Sequence, residues 1–240
     1  MVSSLIQKDI VNSFGEEVVK SVIEEIDHGV FGLLVDESAD ISRKEQMAVV
    51  LRFVDKGGVV KERFIGVVHV NETSSETLKS PVDNLFAKYE LSITKEFNDR
   101  FTEVNTDLLI CMASLSPVDS FQDFDKEKLV RLAKFYPDDF SYGELLSLEQ
   151  HLDIYIDNIR RDERFKSLNS LGDLSYLMVE TRKHVAHPLV YRLLKLVLTL
   201  PVATASVERC FSAMKLLKTA ARSRIGDQFL SDCMVFFIEK

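Results

Sequence analysis

The stretch "FGLLVDESADIS", residues 31–42, runs from an apolar segment, Phe31 to Val35, into two acids, Asp36 and Glu37, with a third, Asp40, about a turn later. A carboxylate at the end of a buried strand is well placed to hold a divalent cation, because Mg²⁺ and Mn²⁺ take hard oxygen ligands. Two such ions can activate an attacking oxygen and stabilise a leaving one, provided that several carboxylates converge on them. The plainer alternative is an acid that is solvated or caps the next turn. No Gly-rich phosphate loop, Ser-His-Asp arrangement or Cys-His pair competes with the carboxylates. Cys111, Cys210 and Cys233 form no C-x-x-C pair. His28, His69 and His151 are scattered, and the H-x-x-H pair His184/His187 reads more simply as solvated or capping histidines than as metal ligands.

The elements around Asp36 decide whether it can be positioned. "SLIQKDIVNSFGEEVVKSVIEEI" spaces Leu5, Ile6, Ile10, Val11 and Phe14, then Val18, Val19, Val22 and Ile23, at three and four residues. This spacing predicts an amphipathic helix, with Ser3 or Ser4 as N-cap. The continuous run "GVFGLLVD" predicts a strand buried on both faces and ending at Asp36. "EQMAVVLRFVD", Gly57-Gly58 and "VVKERFIGVVHV" predict a β-hairpin. Thr73 to Glu76 has the pattern of a capping box opening a helix towards Tyr89, which Pro81 should kink or delay to Ser80.

From about residue 95 the period becomes helical throughout. "DKEKLVRLAKFY", "SYGELLSLEQHLDIYIDNIRRD", "LGDLSYLMVETRKH" and "HPLVYRLLKLVLTL" predict successive helices with short polar breaks. The last stretch predicts two helices broken at Gly226, the first burying Ala205, Val207, Cys210, Phe211, Met214 and Leu217, the second Leu230, Cys233, Met234, Phe237 and Ile238. The fold class is therefore an α/β N-terminal part followed by a mainly α-helical C-terminal part. A net charge of -8 argues against a dedicated nucleic-acid binder but allows a local basic patch. The N-terminus lacks a basic region followed by a long apolar run, and "LVYRLLKLVLTLPVA" is too short and too charged to span a bilayer. With few, unpaired cysteines, a soluble intracellular protein is expected.

Residues 200–240 resemble the C-terminal signature of the hAT (hobo/Ac/Tam3) superfamily of DNA transposases: a proline, small residues, then Ser-x-Glu-Arg-x-Phe-Ser. Here these stand as Pro201, Ala203, Ala205, Ser206, Glu208, Arg209, Phe211 and Ser212. "FGLLVDESADISRKEQMAVVLRFV" is similar to the start of the catalytic domain of that superfamily, closest to its branch of TTF-type or MYM-type zinc-finger proteins. The resemblance implies an RNase H-like fold in which Asp36 is the first metal-binding carboxylate and Glu208 the last. The family's second aspartate lies in a Gly-x-Asp-Gly-Ala-x-Asn-Met motif, and this chain has no such stretch. The text passes from "LFAKYELSI" to "TKEFNDRF", so an internal deletion is expected near Thr94 to Phe97; Asp99 and Asp107 lie in a helical pattern and do not replace the lost acid.

The expected organisation is an incomplete RNase H-like remnant of three strands plus helices over 1–94, a helical region over 95–198 and a dimerisation region over 199–240. Asp36 and Glu208 would be vestigial catalytic and metal-binding residues, with no cofactor unless an intact site held Mg²⁺ or Mn²⁺. Arg209, Lys215, Lys218, Arg222 and Arg224 form a basic run that is either a solvated face or a set of DNA phosphate contacts. Phe211, Leu216, Phe229, Leu230, Met234, Phe236, Phe237 and Ile238 give an apolar surface divided between core and dimer interface. The expected role is protein dimerisation in the nucleus, with itself or with related hAT-type chains, and with DNA as a further partner. An active metal-dependent transposase or nuclease, and a non-functional truncated relic, are the competing readings.

Overall fold

A computed structural model describes residues 3–26, 29–70, 75–91, 105–200 and 205–239. The chain forms two compact units, one from residues 1–53, 61–93 and 200–240, the other from 54–60 and 94–199.

The first unit holds the sheet. Strands β1 (Phe31–Ala39), β2 (Glu45–Val54) and β3 (Val60–Val70) are ordered β1-β2-β3. The β1–β2 ladder is antiparallel, from Phe31 opposite Phe53 to Ala39 opposite Glu45. The fully buried strand is β2, in which Met47 to Leu51 are shielded on both faces. Expected to be such a strand itself, β1 instead lies at a sheet edge, where only Leu33 and Leu34 are buried. Continuous apolarity could not distinguish the two positions, since a central and an edge strand carry the same valines and leucines.

Helix α1 (Ser4–Ile26) packs on the last helix, α11 (Asp227–Ile238). The approach is close: a Cβ at Gly15 would lie 3.3 Å from the Asp232 backbone. The helix buries Gly15, Val19, Val22 and Ile26 but leaves Leu5, Ile6, Ile10 and Phe14 exposed, so the single buried stripe read from its spacing is in fact two faces. Helix α2 (Ser75–Lys88) runs through Pro81 without waiting for Ser80 to begin. The expected capping box at Thr73 lies outside the described residues.

The remaining helices of this unit close over the sheet. Helix α10 (Ala205–Leu217) packs on β1 and on α11. At the β3 edge, the amide N–H of Phe64 donates to Glu239 Oε1 at 2.7 Å and that of Val67 to Ser231 Oγ at 3.1 Å. Side chains at the end of the chain thus occupy donors of an edge strand, which otherwise invite pairing with another chain.

The second unit is helical, built from α3 (Asn105–Ala113), the single turn α4 (Val118–Phe121), α5 (Lys126–Lys134), α6 (Tyr142–Arg160), α7 (Leu171–Glu180), the short α8 (Lys183–Ala186) and α9 (Pro188–Thr199). Its N-caps follow the sequence. Asp125 and Ser170 accept from Lys128 and Asp173 N–H, and Ser141 with Glu144 forms a complete capping box. The core includes Leu129, Leu148, Leu152, Leu174, Leu193 and Tyr155, whose ring meets Phe121 edge-on at 6.2 Å. In α4, Asp119, Ser120 and Phe121 all have positive φ, and the Arg160 guanidinium donates to the carbonyls of Ser120 and Phe121 at 3.3 and 2.7 Å. The hairpin tip, residues 54–60, belongs to this unit: Gly58, at φ 79°, lies so close to Ser175 that a Cβ would fall 2.6 Å from its carbonyl oxygen.

Candidate functional site

Asp36 is the sixth residue of β1, not its end, because pairing with β2 continues for three more positions to Ala39. It stands opposite Ala48, is exposed, and its Oδ1 accepts the Glu37 N–H at 2.9 Å. Its neighbour Glu37 has a carboxyl pushed up by burial, then by the charges of Glu45 and Asp36. This end of the ladder therefore gathers negative charge. Glu208 lies in the first turn of α10, exposed, on the helix that packs against β1. The fold thus brings the elements carrying the two acids together. Among the described residues no group of three or more His, Cys, Asp or Glu is arranged to hold a metal ion. The join near Thr94 to Phe97 and Asp99 lie outside the described residues, while Asp107 pairs with Arg131 on α5.

The third acid of the opening stretch has a different fate. Asp40 is buried, and its Oδ2 accepts from Lys218 Nζ at 2.5 Å and Gln46 Nε2 at 3.2 Å. Its Oδ1 accepts the backbone N–H groups of Ser42 and Lys44 at 2.6 and 3.2 Å. Burial pushes this carboxyl up, but Lys218, the two backbone donors and Gln46 outweigh it and hold Asp40 below the usual aspartate range. Around this pair, Asp227 accepts from Lys44 and Gln46, and Ser42 Oγ donates to the Ser223 carbonyl at 3.0 Å. The β1–β2 turn is thereby fastened to the end of α10 and the loop after it. Lys218 is consequently a core residue and not a surface cation. The spacing contained this signal, since Val207, Phe211, Met214 and Lys218 follow one another at four, three and four residues. Lys215, Arg222 and Arg224 are exposed.

The Ser-x-Glu-Arg portion of the C-terminal motif also has structural work. Arg209 donates to Ser206 Oγ at 2.5 Å, the Ser206 hydroxyl donates to Glu62 on β3, and Glu62 also pairs with Arg52 on β2. The start of α10 is thus tied to two strands through polar side chains. Of the apolar candidates, Phe211, Leu230 and Met234 are buried, and Phe229 and Ile238 are partly buried. Leu216, Phe236 and Phe237 are 67%, 52% and 38% exposed. In the helical unit, His184 meets the Met178 carbonyl at 3.2 Å, while His187 is buried against Asn158 and the Tyr155 ring, which pushes its pKa down. Both histidines are engaged within the helical fold.

No helix among the described residues is long and apolar enough to cross a membrane. Residues 1–96 match the family model of the ZMYM1/FAM200 RNase-like domain. Residues 152–240 match that of the hAT family C-terminal dimerisation region. The first match covers α1, the three strands and α2; the second runs from within α6 to the end of α11. An RNase-like N-terminal part and a hAT-type helical dimerisation region thus stand in the order the motifs foretold, and the two matches together support a hAT-transposase-derived protein.

Proposed function

We propose that this protein works by association, as a transposase-derived dimerising chain that no longer carries out strand transfer. The observation that carries the reading is the exposure of Leu216, Phe236 and Phe237 within the segment that matches the dimerisation region. Large apolar side chains left exposed within such a segment are the ones a partner would cover. Loss of chemistry is inferred from the sequence between α2 and α3, which lacks the second aspartate motif. Two acids leave a metal pair under-coordinated and the attacking oxygen poorly activated. The division at 1–94, 95–198 and 199–240, membership of the zinc-finger branch and a nuclear location belong to the same reading. DNA contact would fall to Arg209, Lys215, Arg222 and Arg224.

Light scattering on the full chain at micromolar concentration is the direct test: a dimer is expected, and a clean monomer would overturn the proposal. The competing enzyme reading has its own assay. Mg²⁺- or Mn²⁺-dependent DNA cleavage that disappears in Asp36→Ala would restore catalysis, and none is expected.

A further inference from the structure

We infer that the dimer contact extends beyond the C-terminal region onto α1, and that its occupant is the same face of a second copy. The inference rests on the dimerising function proposed above.

Helix α1 carries two apolar faces. Gly15, Val19, Val22 and Ile26 turn to the core, while Ile6, Ile10 and Phe14 form a stripe at four-residue spacing. At 3.6 residues per turn the two stripes lie roughly 150° apart around the helix. The outer one is 50%, 47% and 56% exposed at Ile6, Ile10 and Phe14. An amphipathic helix needs only one such face to join its own core.

This stripe continues onto α11. The Phe14 and Phe236 rings lie 6.1 Å apart, with Phe236 itself 52% exposed. On α11, Phe229, Cys233 and Phe236 share the side turned away from the buried Leu230 and Met234. The patch therefore joins the segment matched to the dimerisation region to a helix outside that segment.

Charge narrows the partner. The stripe residues are uncharged; beside them Asp9 is an exposed anion next to Ile10, and further along Glu17 pairs with Lys20 at 3.1 Å. Such a face offers little to a phosphate backbone or an acidic peptide. It calls for an equally apolar partner surface, and a second copy related by a two-fold axis supplies one by construction.

Sedimentation velocity over a concentration series, on the full chain, tests this. Ile6→Glu/Ile10→Glu should weaken the dimer at least tenfold, as should Phe236→Glu, with an unchanged circular dichroism spectrum. Ile6→Met/Ile10→Met should keep it. Leu146→Glu, at an apolar position 63% exposed in the helical unit, should leave it unaltered. A dimer weakened by Leu216→Glu or Phe236→Glu but indifferent to the α1 pair would overturn this inference and leave the C-terminal reading standing. A wild-type monomer would overturn both.

Discussion

The two units of this protein reach burial by opposite routes. In the helical unit, α5, α6, α7 and α9 follow one another along the chain, each burying an apolar face and each opened by a local cap or a proline. In the sheet unit, a sheet of three strands relies on a segment well over a hundred residues later, which seats Lys218 on Asp40 and Glu239 on the β3 edge. Local assembly tolerates the loss of one polar contact. Assembly over long sequence distance concentrates its cost in a few contacts, each of which must hold a distant segment in place.

The largest expected effect is at the buried ion pair. Lys218→Met leaves Asp40 buried without its cation, and urea unfolding should show the sheet unit destabilised by about 3–5 kcal/mol. Amide exchange should quicken in the strands and residues 205–239 but not in α5 to α9; a uniform loss would abolish the distinction between the units. The pair also predicts a pH response. A carboxyl held below its ordinary value stabilises the fold above the unfolded aspartate pKa of about 3.9 and loses that contribution as pH falls through its folded value. Wild type should therefore lose stability in acid more steeply than Lys218→Met.

The reverse experiment is Leu152→Ala, which opens a cavity at a fully buried position and should cost about 2–5 kcal/mol. Its exchange signature should be confined to the helical unit. Ser231→Ala is expected to cost about 1–3 kcal/mol by leaving the Val67 N–H without its acceptor. Chemical denaturation monitored on the strands would check it, and no change would mean that another group takes up the amide. The smallest effect should come from Glu144→Gln. The Ser141 backbone and hydroxyl, with Arg192, hold Glu144 at about 2. Because the group is partly solvated, the loss should be only about 0.5–1 kcal/mol near neutral pH. It should vanish as acid protonates the wild-type carboxyl, below its usual range and down through about 2.

The same contrast explains what could be read beforehand. Helices α5, α6, α7 and α9 were legible because period, caps and breaks are local signals, and the β2–β3 hairpin was legible from Gly57-Gly58. The place of β1 was not, since edge and centre are decided by which strands pair. On α1 the apolar spacing was visible, but two faces were merged into one because the outer stripe ends at residue 14 and the inner one begins at residue 15. Asp36 and Glu208 could be singled out as candidates by type and motif. That Asp40 is buried under Lys218 could not, because a carboxylate declares nothing about a cation 178 residues away.

The β3 edge sets a timetable for synthesis. Its Phe64 amide finds its acceptor only once residue 239 has left the ribosome. At roughly 5–20 residues per second, the nascent strand waits about 10–30 s with that donor unclaimed. Through that interval the emerging chain carries an adhesive β-edge, and a holding chaperone that shields extended segments would govern how much of it reaches the native state.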